Sequence, residues 1–375
     1  MVDLRGQYER IKPEIDAAIQ EVLHTSAFIN GPAVSLFAKE LAAYNQATHV
    51  IPCANGTDAL QLAMMALDLK AGDEVIVPTF TYVATAEVIA LLGLTPVFVD
   101  VEPDTFMLSP AAVASKITPN TKAIVPVHLF GQCADMEAIM DIAGQHGIYV
   151  IEDTAQAIGA DYVFSDGTVK KAGTIGHIGT TSFFPSKNLG CYGDGGALLT
   201  NDDALAGKLQ MIANHGQKVK YHHDVVGINS RLDTLQAAIL RVKLQQLDSY
   251  SASRNTSAAH YDTELGRLAS LAIPVRAASS THVFHQYTIL CQGFNRDELK
   301  AFLAEQGIPS MIYYPVPLHL QKAYSHYGAE KGDFPVSEQL CEQVLSLPIH
   351  TEQSEEELSY ITRSIKEFLQ SKGLH

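Results

Sequence analysis

The fold is constrained most by an alternation of short β-rich segments with helical segments, which continues up to about residue 200. The β-rich segments are DEVIVPT, PVFVDV, KAIVPVHLFG, IYVIEDTA, TTSFFPS and GALLT, and several of them are apolar on both faces. Between them lie DALQLAMMALDL, YVATAEVIALLG and DMEAIMDIAGQHG, in which apolar residues recur at spacings of three and four. Because doubly apolar strands alternate with helices, we predict an α/β fold with a mostly parallel sheet covered on both sides.

The rest of the chain predicts a smaller domain of a different type. A long helical stretch begins near SRLDTLQAAILRVKLQQLDSY. Beyond about residue 252, one alternating strand, HVFHQYTILC, lies among amphipathic helices such as RDELKAFLAEQG. A chain of 375 residues is long enough for two domains. We therefore predict a large α/β domain over 1–252 and a small C-terminal α+β domain over 253–375.

Charge and cysteine usage argue against several classes of protein. The formal net charge of −15 disfavours a general surface for nucleic acid or anionic membranes, although a local site for an anionic substrate can still be positive. The sequence shows neither an apolar run of the ~20 residues that span a membrane nor a signal-peptide pattern. The cysteines occur singly, which predicts neither disulfides nor a metal site and favours a cytoplasmic location: Cys53, Cys133, Cys191, Cys291 and Cys341.

The segment CANGTDAL predicts either an anion site or a plain helix cap. It follows the strand-like HVIP and opens a helix, where free backbone amides and the helix dipole favour a negative group. Gly56 would let the backbone approach a ligand closely, and Thr57 adds a hydroxyl and an amide. Alternatively, Asn55 or Thr57 caps the helix and Asp58 complements its dipole.

Two carboxylates, Glu152 and Asp153, end the hydrophobic segment IYVIEDTAQ. One of them could cap the element that follows. A carboxylate at a buried strand end could instead hold a protonated ring nitrogen, because that group needs a fixed negative partner.

Lys187 lies between a strand-like run and a glycine-rich turn in TTSFFPSKNLGCYGDGG. A lysine in an apolar pocket should have its pKa lowered below ~10.4 by desolvation, which makes its amine a usable nucleophile. The alternative is a surface lysine with an extended side chain. The turn that follows can pack tightly because of its glycines: Gly190, Gly193, Gly195 and Gly196.

These three features form one chemical set. In open α/β sheets ligands bind at the carboxyl ends of the strands, where all three features fall. A phosphate seat, a partner for a pyridinium nitrogen and a Schiff-base amine are what pyridoxal phosphate (PLP) requires. No P-loop, dinucleotide fingerprint or nucleophile elbow competes with this reading. The adjacent His222 and His223 cannot share one helical face and predict a surface loop.

The sequence resembles the DegT/DnrJ/StrS family of nucleotide-sugar aminotransferases. The resemblance covers essentially the whole chain and implies the aspartate-aminotransferase-like fold of PLP fold type I, transaminase activity and PLP as cofactor. It rests on these motifs, in this order: DLRGQYERIKPEIDAAI, CANGTDALQLA, PTFTYVATA, IEDTAQAIGA, SFFPSKNLGCYGDGGALLTND, GINSRLDTLQAAIL and MIYYPVPLH.

The resemblance implies roles for the residues around the cofactor ring. Lys187 corresponds to the Schiff-base lysine, which also moves the proton between cofactor and substrate carbons. Asp153 corresponds to the acid that pairs with the ring nitrogen. Gln156 corresponds to the residue beside the ring hydroxyl, and Tyr82 to the aromatic residue stacked on the ring.

The resemblance also implies a shared phosphate site. Gly56, Thr57 and Ser182 match the family's phosphate seat within one chain. In this family an asparagine of the NSRLD segment reaches the phosphate of the neighbouring subunit, so Asn229 implies a homodimer with shared active sites.

The segments HGQKVKYHHDVVGINSRLD and FGQCADMEAI are most similar to a subgroup that aminates UDP-linked 2-acetamido-3-oxo uronic acids, on the route to 2,3-diacetamido uronic acids of surface polysaccharides such as O-antigen. There, a partner arginine near the substrate carboxylate corresponds to Arg231, and a guanidinium suits that anion. A helix cap or an ion pair is the alternative for Arg231. The subgroup commonly carries His-Tyr where this chain has Tyr313 and Tyr314, which we expect to line the sugar site.

Three functions stay open at this point. The first is transfer of an amino group, by family analogy from L-glutamate, to C3 of the UDP-linked uronic acid. The second is 3- or 4-amino transfer to a neutral keto sugar, because Tyr313 replaces a potential cation with a phenol. The third is a PLP-binding regulator without catalysis.

Overall fold

The computed structural model describes residues 1–374 and contains fourteen strands within them. The strands in chain order are β1 His49–Cys53, β2 Glu74–Pro78, β3 Thr95–Val99, β4 Thr121–Ile124, β5 Tyr149–Asp153, β6 Asp161–Val163, β7 Val169–Lys171, β8 Ile178–Ser182, β9 Gly196–Thr200, β10 Gln217–Val219, β11 His222–His223, β12 Leu271–Ala272, β13 Tyr287–Cys291 and β14 Val344–Leu347.

Thirteen α-helices accompany these strands over the same residues. They are α1 Leu4–Arg10, α2 Lys12–Thr25, α3 Pro32–Asn45, α4 Gly56–Ala66, α5 Ala84–Leu91, α6 Pro110–Lys116, α7 Met136–His146, α8 Asp203–Ala213, α9 Thr234–Leu244, α10 Leu247–Leu265, α11 Arg296–Glu305, α12 Pro335–Gln343 and α13 Glu355–Ser371.

The large sheet has seven strands in the order β3–β2–β4–β5–β8–β9–β1. Only β9 is antiparallel to its neighbours, and the other strands run in one direction. Helices α4 to α7 connect the successive strands from β1 to β5. Residues 183–195 instead join β8 directly to β9, so the chain reverses direction there. The predicted mostly parallel sheet is confirmed.

Both faces of the sheet are buried, because successive side chains of a strand point to opposite sides. On β2, Val75 and Val77 belong to the core on the side of α4, α5 and α8. Ile76, between them, belongs to the core on the side of α6 and α7. All three side chains have no exposed surface. This arrangement explains why the strand sequences are continuously apolar.

Two predicted strands are shorter in the structure. β8 ends at Ser182 because the chain then folds back on itself, with the Cys191 amide donating to the Phe183 carbonyl at 2.8 Å. β4 ends at Ile124, and residues 129–131 form a short 3₁₀ turn. Phe130 in that turn has φ of +58°, a left-handed conformation that a strand cannot contain.

The C-terminal part has its own sheet, β12–β13–β14, and its own core. Helices α10, α11 and α13 pack on this sheet. The predicted long helical stretch is two helices, α9 and α10, and the predicted domain boundary at 252 falls inside α10. The predicted strand HVFHQYTILC is regular only over β13, because the Val283 amide donates to the Gly131 carbonyl in the 3₁₀ turn that follows β4.

Within residues 1–374, every helix is too short or too polar to cross a membrane. The same residues contain no cluster of three or more histidine, cysteine, aspartate or glutamate side chains that could hold a metal ion. All five cysteines are unpaired and buried.

Candidate active site

Several of the predicted site residues lie where strands of the large sheet end. Asp153 is the last residue of β5, and Ser182 is the last residue of β8. Lys187 follows β8, Tyr82 follows β2, and Gly56 opens α4 just after β1. Since β1, β2, β5 and β8 are parallel, their carboxyl ends share one edge of the sheet. The topology therefore brings these segments together.

Lys187 lies in the loop that connects β8 to β9. Its backbone amide donates to the Phe184 carbonyl at 2.8 Å, so the chain turns tightly just before it. Burial lowers the pKa of the Lys187 amine to about 8, and the nearby Asp153 carboxylate opposes part of this shift. Near neutral pH a much larger fraction of this amine is unprotonated than of an ordinary lysine. The amine can therefore act as a nucleophile and as a proton carrier.

Asp153 is a buried carboxylate held by two donors. The Thr85 hydroxyl donates to Oδ2 at 3.1 Å, and the Ala155 amide donates to Oδ1 at 3.1 Å. Burial raises the pKa of Asp153, while the Ala155 amide, the Lys187 amine and the Thr85 hydroxyl act in the opposite direction. This carboxylate has a fixed orientation and can pair with a cationic group placed at the edge of the sheet.

Glu152, the preceding residue, faces the opposite side of the sheet and has a different task. Its carboxylate accepts hydrogen bonds from the Gly173, Ile175 and Gly176 amides at 2.9, 2.7 and 2.6 Å. It also bonds His128 Nε2 at 2.9 Å. His128 Nδ1 accepts from the Ala134 amide, so Nε2 carries the proton. Glu152 thus anchors the loop before β8, and neither acid caps a helix.

The start of α4 combines a helix cap with backbone amides that have no partner within the helix. The Asn55 side chain caps the helix by accepting from the Asp58 amide at 2.8 Å. The amides of Gly56 and Thr57 belong to the first turn of α4, where no carbonyl of the helix can accept from them. A Cβ on Gly56 would lie 2.7 Å from the Ser182 Cβ, so only glycine fits beside Ser182 here. The helix-cap interpretation is therefore confirmed, with Asn55 rather than Thr57 as the cap, and the anion site stays a prediction.

Gln156 and Tyr314 meet near Asp153, although they are far apart in the chain. The Gln156 amide group donates to the Tyr314 hydroxyl at 3.3 Å, and its oxygen accepts from the Phe130 amide at 2.6 Å. The Tyr314 ring lies 6.2 Å from the Tyr82 ring. Tyr82 is 57% exposed, so a large part of its aromatic surface is open for contact with a ligand. Tyr313 is half-buried beside Gln286.

Asn229 and Arg231 lie apart from this group. Asn229 is exposed, next to the hairpin β10–β11 that contains His222 and His223. Arg231 lines an open cleft of about 580 Å³ between α3, β1 and α8. Neither side chain contacts Lys187 or Asp153, and Arg231 forms no ion pair within residues 1–374. The contacts of one chain alone therefore do not include these two residues in the site.

Sequence reasoning did not single out three residues near the site, Thr85, Asn188 and His285. Thr85 donates to Asp153 and lies in the PTFTYVATA motif. Its position three residues after Tyr82, a predicted site residue, was the only sequence signal for it. Asn188 hydrogen-bonds His285 Nδ1 at 3.3 Å. Burial and the nearby charges of Lys187 and Arg254 lower the pKa of His285, so it is neutral. Since residue 285 belongs to the second half of the chain, no local pattern could have placed it beside Lys187.

This sheet order, with a partly buried lysine in the β8–β9 loop and a carboxylate at the end of β5, is that of PLP-dependent enzymes of fold type I. More specifically, the chain belongs to the DegT/DnrJ/EryC1/StrS aminotransferase family, whose family model matches residues 9–366. It is therefore a transaminase by family.

Relatives with similar sequences have several names. A "Pleiotropic regulatory protein" of Geobacillus stearothermophilus is 49% identical over 98% of both chains. A UDP-2-acetamido-2-deoxy-3-oxo-D-glucuronate aminotransferase of Pseudomonas aeruginosa is 49% identical over 93% of this chain and 94% of the relative. A UDP-N-acetyl-3-dehydro-alpha-D-glucosamine 3-aminotransferase of Acidithiobacillus ferrooxidans is 46% identical over 98% of this chain and 97% of the relative.

Solved structures have the same fold. The crystal structure of S. venezuelae DesV in complex with a ketimine intermediate superposes with a TM-score of 0.94 at 41% sequence identity, over 98% of this chain and 97% of that chain. The predicted fold class is confirmed by this similarity.

Proposed function

We propose that the protein transfers an amino group from L-glutamate to C3 of a UDP-linked 2-acetamido-3-oxo uronic acid. The product would serve the synthesis of 2,3-diacetamido uronic acids for surface polysaccharides such as O-antigen. The observation that carries the transaminase activity is the proximity of the Lys187 amine, whose pKa is about 8, to the buried Asp153 carboxylate. The relative from Pseudomonas aeruginosa supports the substrate.

The residues of this edge of the sheet fit PLP. The Gly56 and Thr57 amides with the Ser182 hydroxyl would hold the phosphate, in the close approach that glycine permits. Asp153 would hold the ring nitrogen, Gln156 would lie beside the ring hydroxyl, and Tyr82 would cover the ring face. When bound, PLP supplies an electron sink that stabilises negative charge on the substrate carbon.

The chain's own residues then orient the reactants and move protons. Lys187 would first bind the cofactor through its amine and, once released, would carry a proton to or from the substrate carbon. Its lowered pKa suits this task, because the amine must be unprotonated to accept a proton near neutral pH. The Asp153 carboxylate would keep the ring nitrogen protonated.

The substrate site is proposed to be shared between two chains of a homodimer. Asn229 would reach the cofactor phosphate bound by the other chain, and Arg231 would reach the carboxylate of the substrate bound there. The exposure of Asn229 agrees with this arrangement, and so does the lack of an ion partner for Arg231 over residues 1–374 of its own chain. Tyr313 and Tyr314 would line the sugar site from the C-terminal part. The exposed hairpin β10–β11 and the residues that follow it carry apolar side chains that a second chain could cover, including Tyr221 and Val226 at 79% and 86% exposure.

A second candidate function is amino transfer to a neutral keto sugar. Tyr313 favours it, because a phenol offers no positive charge to a uronic acid carboxylate. The relative from Acidithiobacillus ferrooxidans, named for a glucosamine derivative, agrees with this alternative. A third candidate, a regulator without catalysis, is motivated by the name of the Geobacillus stearothermophilus relative. Conversion of the bound cofactor by glutamate would rule it out.

The substrate is tested by converting the protein to its pyridoxamine phosphate form and adding a panel of UDP-linked keto sugars. We expect rapid return of the PLP absorbance only with the 3-oxo uronic acid, and slower return in the R231A variant. Return with the neutral 3-oxo sugar or with a 4-keto-6-deoxy sugar would keep the transaminase assignment and discard this substrate.

A further inference from the structure

Helix α9 holds the turn that follows Lys187 through two side chains. Lys243 donates from Nζ to the Gly190 carbonyl at 2.6 Å. Gln236, seven residues earlier on the same face of the helix, accepts from the Tyr192 amide at 2.8 Å. The turn from Gly190 to Tyr192 is therefore tied to the helix at both ends.

Lys243 is an unusual residue at such a position. Its side chain is 1% exposed, and its ammonium lies 5.0 Å from the centre of the Tyr192 ring. No carboxylate pairs with it within residues 1–374. Burial lowers the pKa of Lys243 to about 8. Because an apolar side chain of similar size is usually at least as stable as a buried unpaired cation, stability alone does not explain this lysine.

The turn packs closely against the segment that precedes it. A Cβ on Gly190 would lie 2.3 Å from the Pro185 carbonyl oxygen, so the chain crosses closely over itself just after Lys187. The Cys191 amide closes the loop on the Phe183 carbonyl at 2.8 Å. The carbonyl of Gly190 then points towards α9, where Lys243 is its donor. Loss of that donor would leave a buried carbonyl unpaired three residues from Lys187.

We propose that Lys243, together with Gln236, is a positioning residue that holds the 187–192 turn and thereby sets the position of the Lys187 amine. This inference rests on the proposed role of Lys187 and adds a second lysine that acts without touching substrate or cofactor. A displacement of about 1 Å in a reacting group can lower a rate about 100-fold, so a small shift of the turn is sufficient.

The test compares K243M with R241M in the PLP-bound protein. Arg241 lies on α9 two residues before Lys243 and pairs with Glu40, away from the turn, so R241M removes a cation from the same helix. We expect K243M to lower the single-turnover rate constant with L-glutamate at least about tenfold, with KM within about twofold. The pH midpoint of the absorbance of the lysine-bound cofactor should also shift. R241M should change none of these quantities.

A second readout does not depend on the reaction. Amide hydrogen exchange of a peptide covering 183–193 should become at least about tenfold faster in K243M than in R241M. Faster exchange without any change in rate constant or pH midpoint would limit Lys243 to a structural role. Unchanged exchange with an unchanged rate constant would overturn the proposal. If the proposed function itself fails, wild type will show no reaction with glutamate while the exchange difference persists.

The variant K243Q covers the case in which K243M does not fold, because its amide can still donate to a carbonyl. We expect K243Q to exchange more slowly in this peptide than a K243A variant and to recover part of the rate constant. Equal exchange and equal rate constants in K243Q and K243A would contradict a role for the hydrogen bond to Gly190.

Discussion

At the scale of single residues, Glu152 and Asp153 show how two adjacent carboxylates acquire different tasks. They point to opposite faces of β5, because side chains alternate along a strand. The Glu152 carboxylate is occupied by hydrogen bonds from three backbone amides and from His128 of the same chain. Asp153 meets only Thr85 and Ala155 and lies near Lys187, so it has the capacity to bind a ligand.

Replacement of Asp153 by asparagine should slow transamination and shift a pKa. Since the negative charge favours the protonated form of Lys187, its removal should lower the pKa of that amine further below about 8. We expect kcat to fall at least about 100-fold, because a neutral amide cannot hold a protonated ring nitrogen. The pKa is measured from the pH dependence of the rate at which cofactor-free protein attaches PLP. The control T85V keeps the Asp153 charge and should leave that midpoint nearly unchanged. An unchanged midpoint in D153N would contradict the electrostatic interaction between Asp153 and Lys187.

Replacement of Lys187 by alanine should abolish turnover. Loss of both the nucleophile and the proton carrier is expected to lower kcat at least about 1000-fold, measured with saturating glutamate and keto sugar. K208A removes a lysine of α8 that pairs with Asp68 at the surface, and it should retain wild-type activity. Near-normal catalysis by a folded K187A protein would refute the assignment of this residue.

At the scale of the element, the first turn of α4 is the proposed seat of the cofactor phosphate. The helix begins directly after β1, so its open amides lie at the same edge of the sheet as Ser182. Gly56 packs so closely against Ser182 that no side chain fits at this position.

The G56A variant should therefore bind PLP at least about tenfold more weakly, because the added methyl group must displace Ser182 or the helix start. Gly207 in α8 provides the control, since a Cβ there would meet no atom within 4 Å. We expect G207A to keep the wild-type affinity and to raise the free energy of unfolding by about 0.5–1 kcal/mol. The affinities follow from equilibrium titration of the cofactor-free proteins. Equal affinity of G56A and wild type would exclude this turn as the phosphate seat.

At the scale of the whole molecule, the site residues fall into two groups. Lys187, Asp153, Gln156, Tyr82 and Tyr314 converge within one chain, whereas Asn229 and Arg231 do not join them. If the two groups complete each other across a homodimer, each active site needs residues from both chains.

Subunit mixing tests this arrangement. K187A and an N229A/R231A double variant should each be inactive, but a 1:1 mixture that is unfolded and refolded together should recover about a quarter of wild-type activity. Half of the dimers would then be mixed, and each would contain one intact site. A mixture of K187A with D153N should stay inactive, because in a mixed dimer one site lacks Lys187 and the other lacks Asp153. No recovery in the first mixture would place Asn229 and Arg231 outside a shared site.

Much of the fold could be predicted because its signals are local. The continuous apolar runs of β2 and β5 and the three- and four-residue spacing in α4 and α7 depend only on neighbours in the chain. The predicted strands failed at their ends, at Ser182 and Ile124, where contacts with distant residues turn the chain. The Gly-flanked Lys187 and the strand-end Asp153 were identifiable because a strand end in a parallel sheet is itself a position at the site.

The sequence by itself determined the doubly covered parallel sheet, the family and the main candidate residues. Only the tertiary structure showed why Asp153 rather than Glu152 is free to bind a ligand, because the Glu152 carboxylate is occupied by three backbone amides and His128. It alone paired Gln156 with Tyr314, 158 residues later in the chain. It likewise assigned Lys243 to Gly190, 53 residues before it. Periodicity records which face of an element is buried, whereas hydrogen-bond partners across such separations depend on how the elements pack in three dimensions.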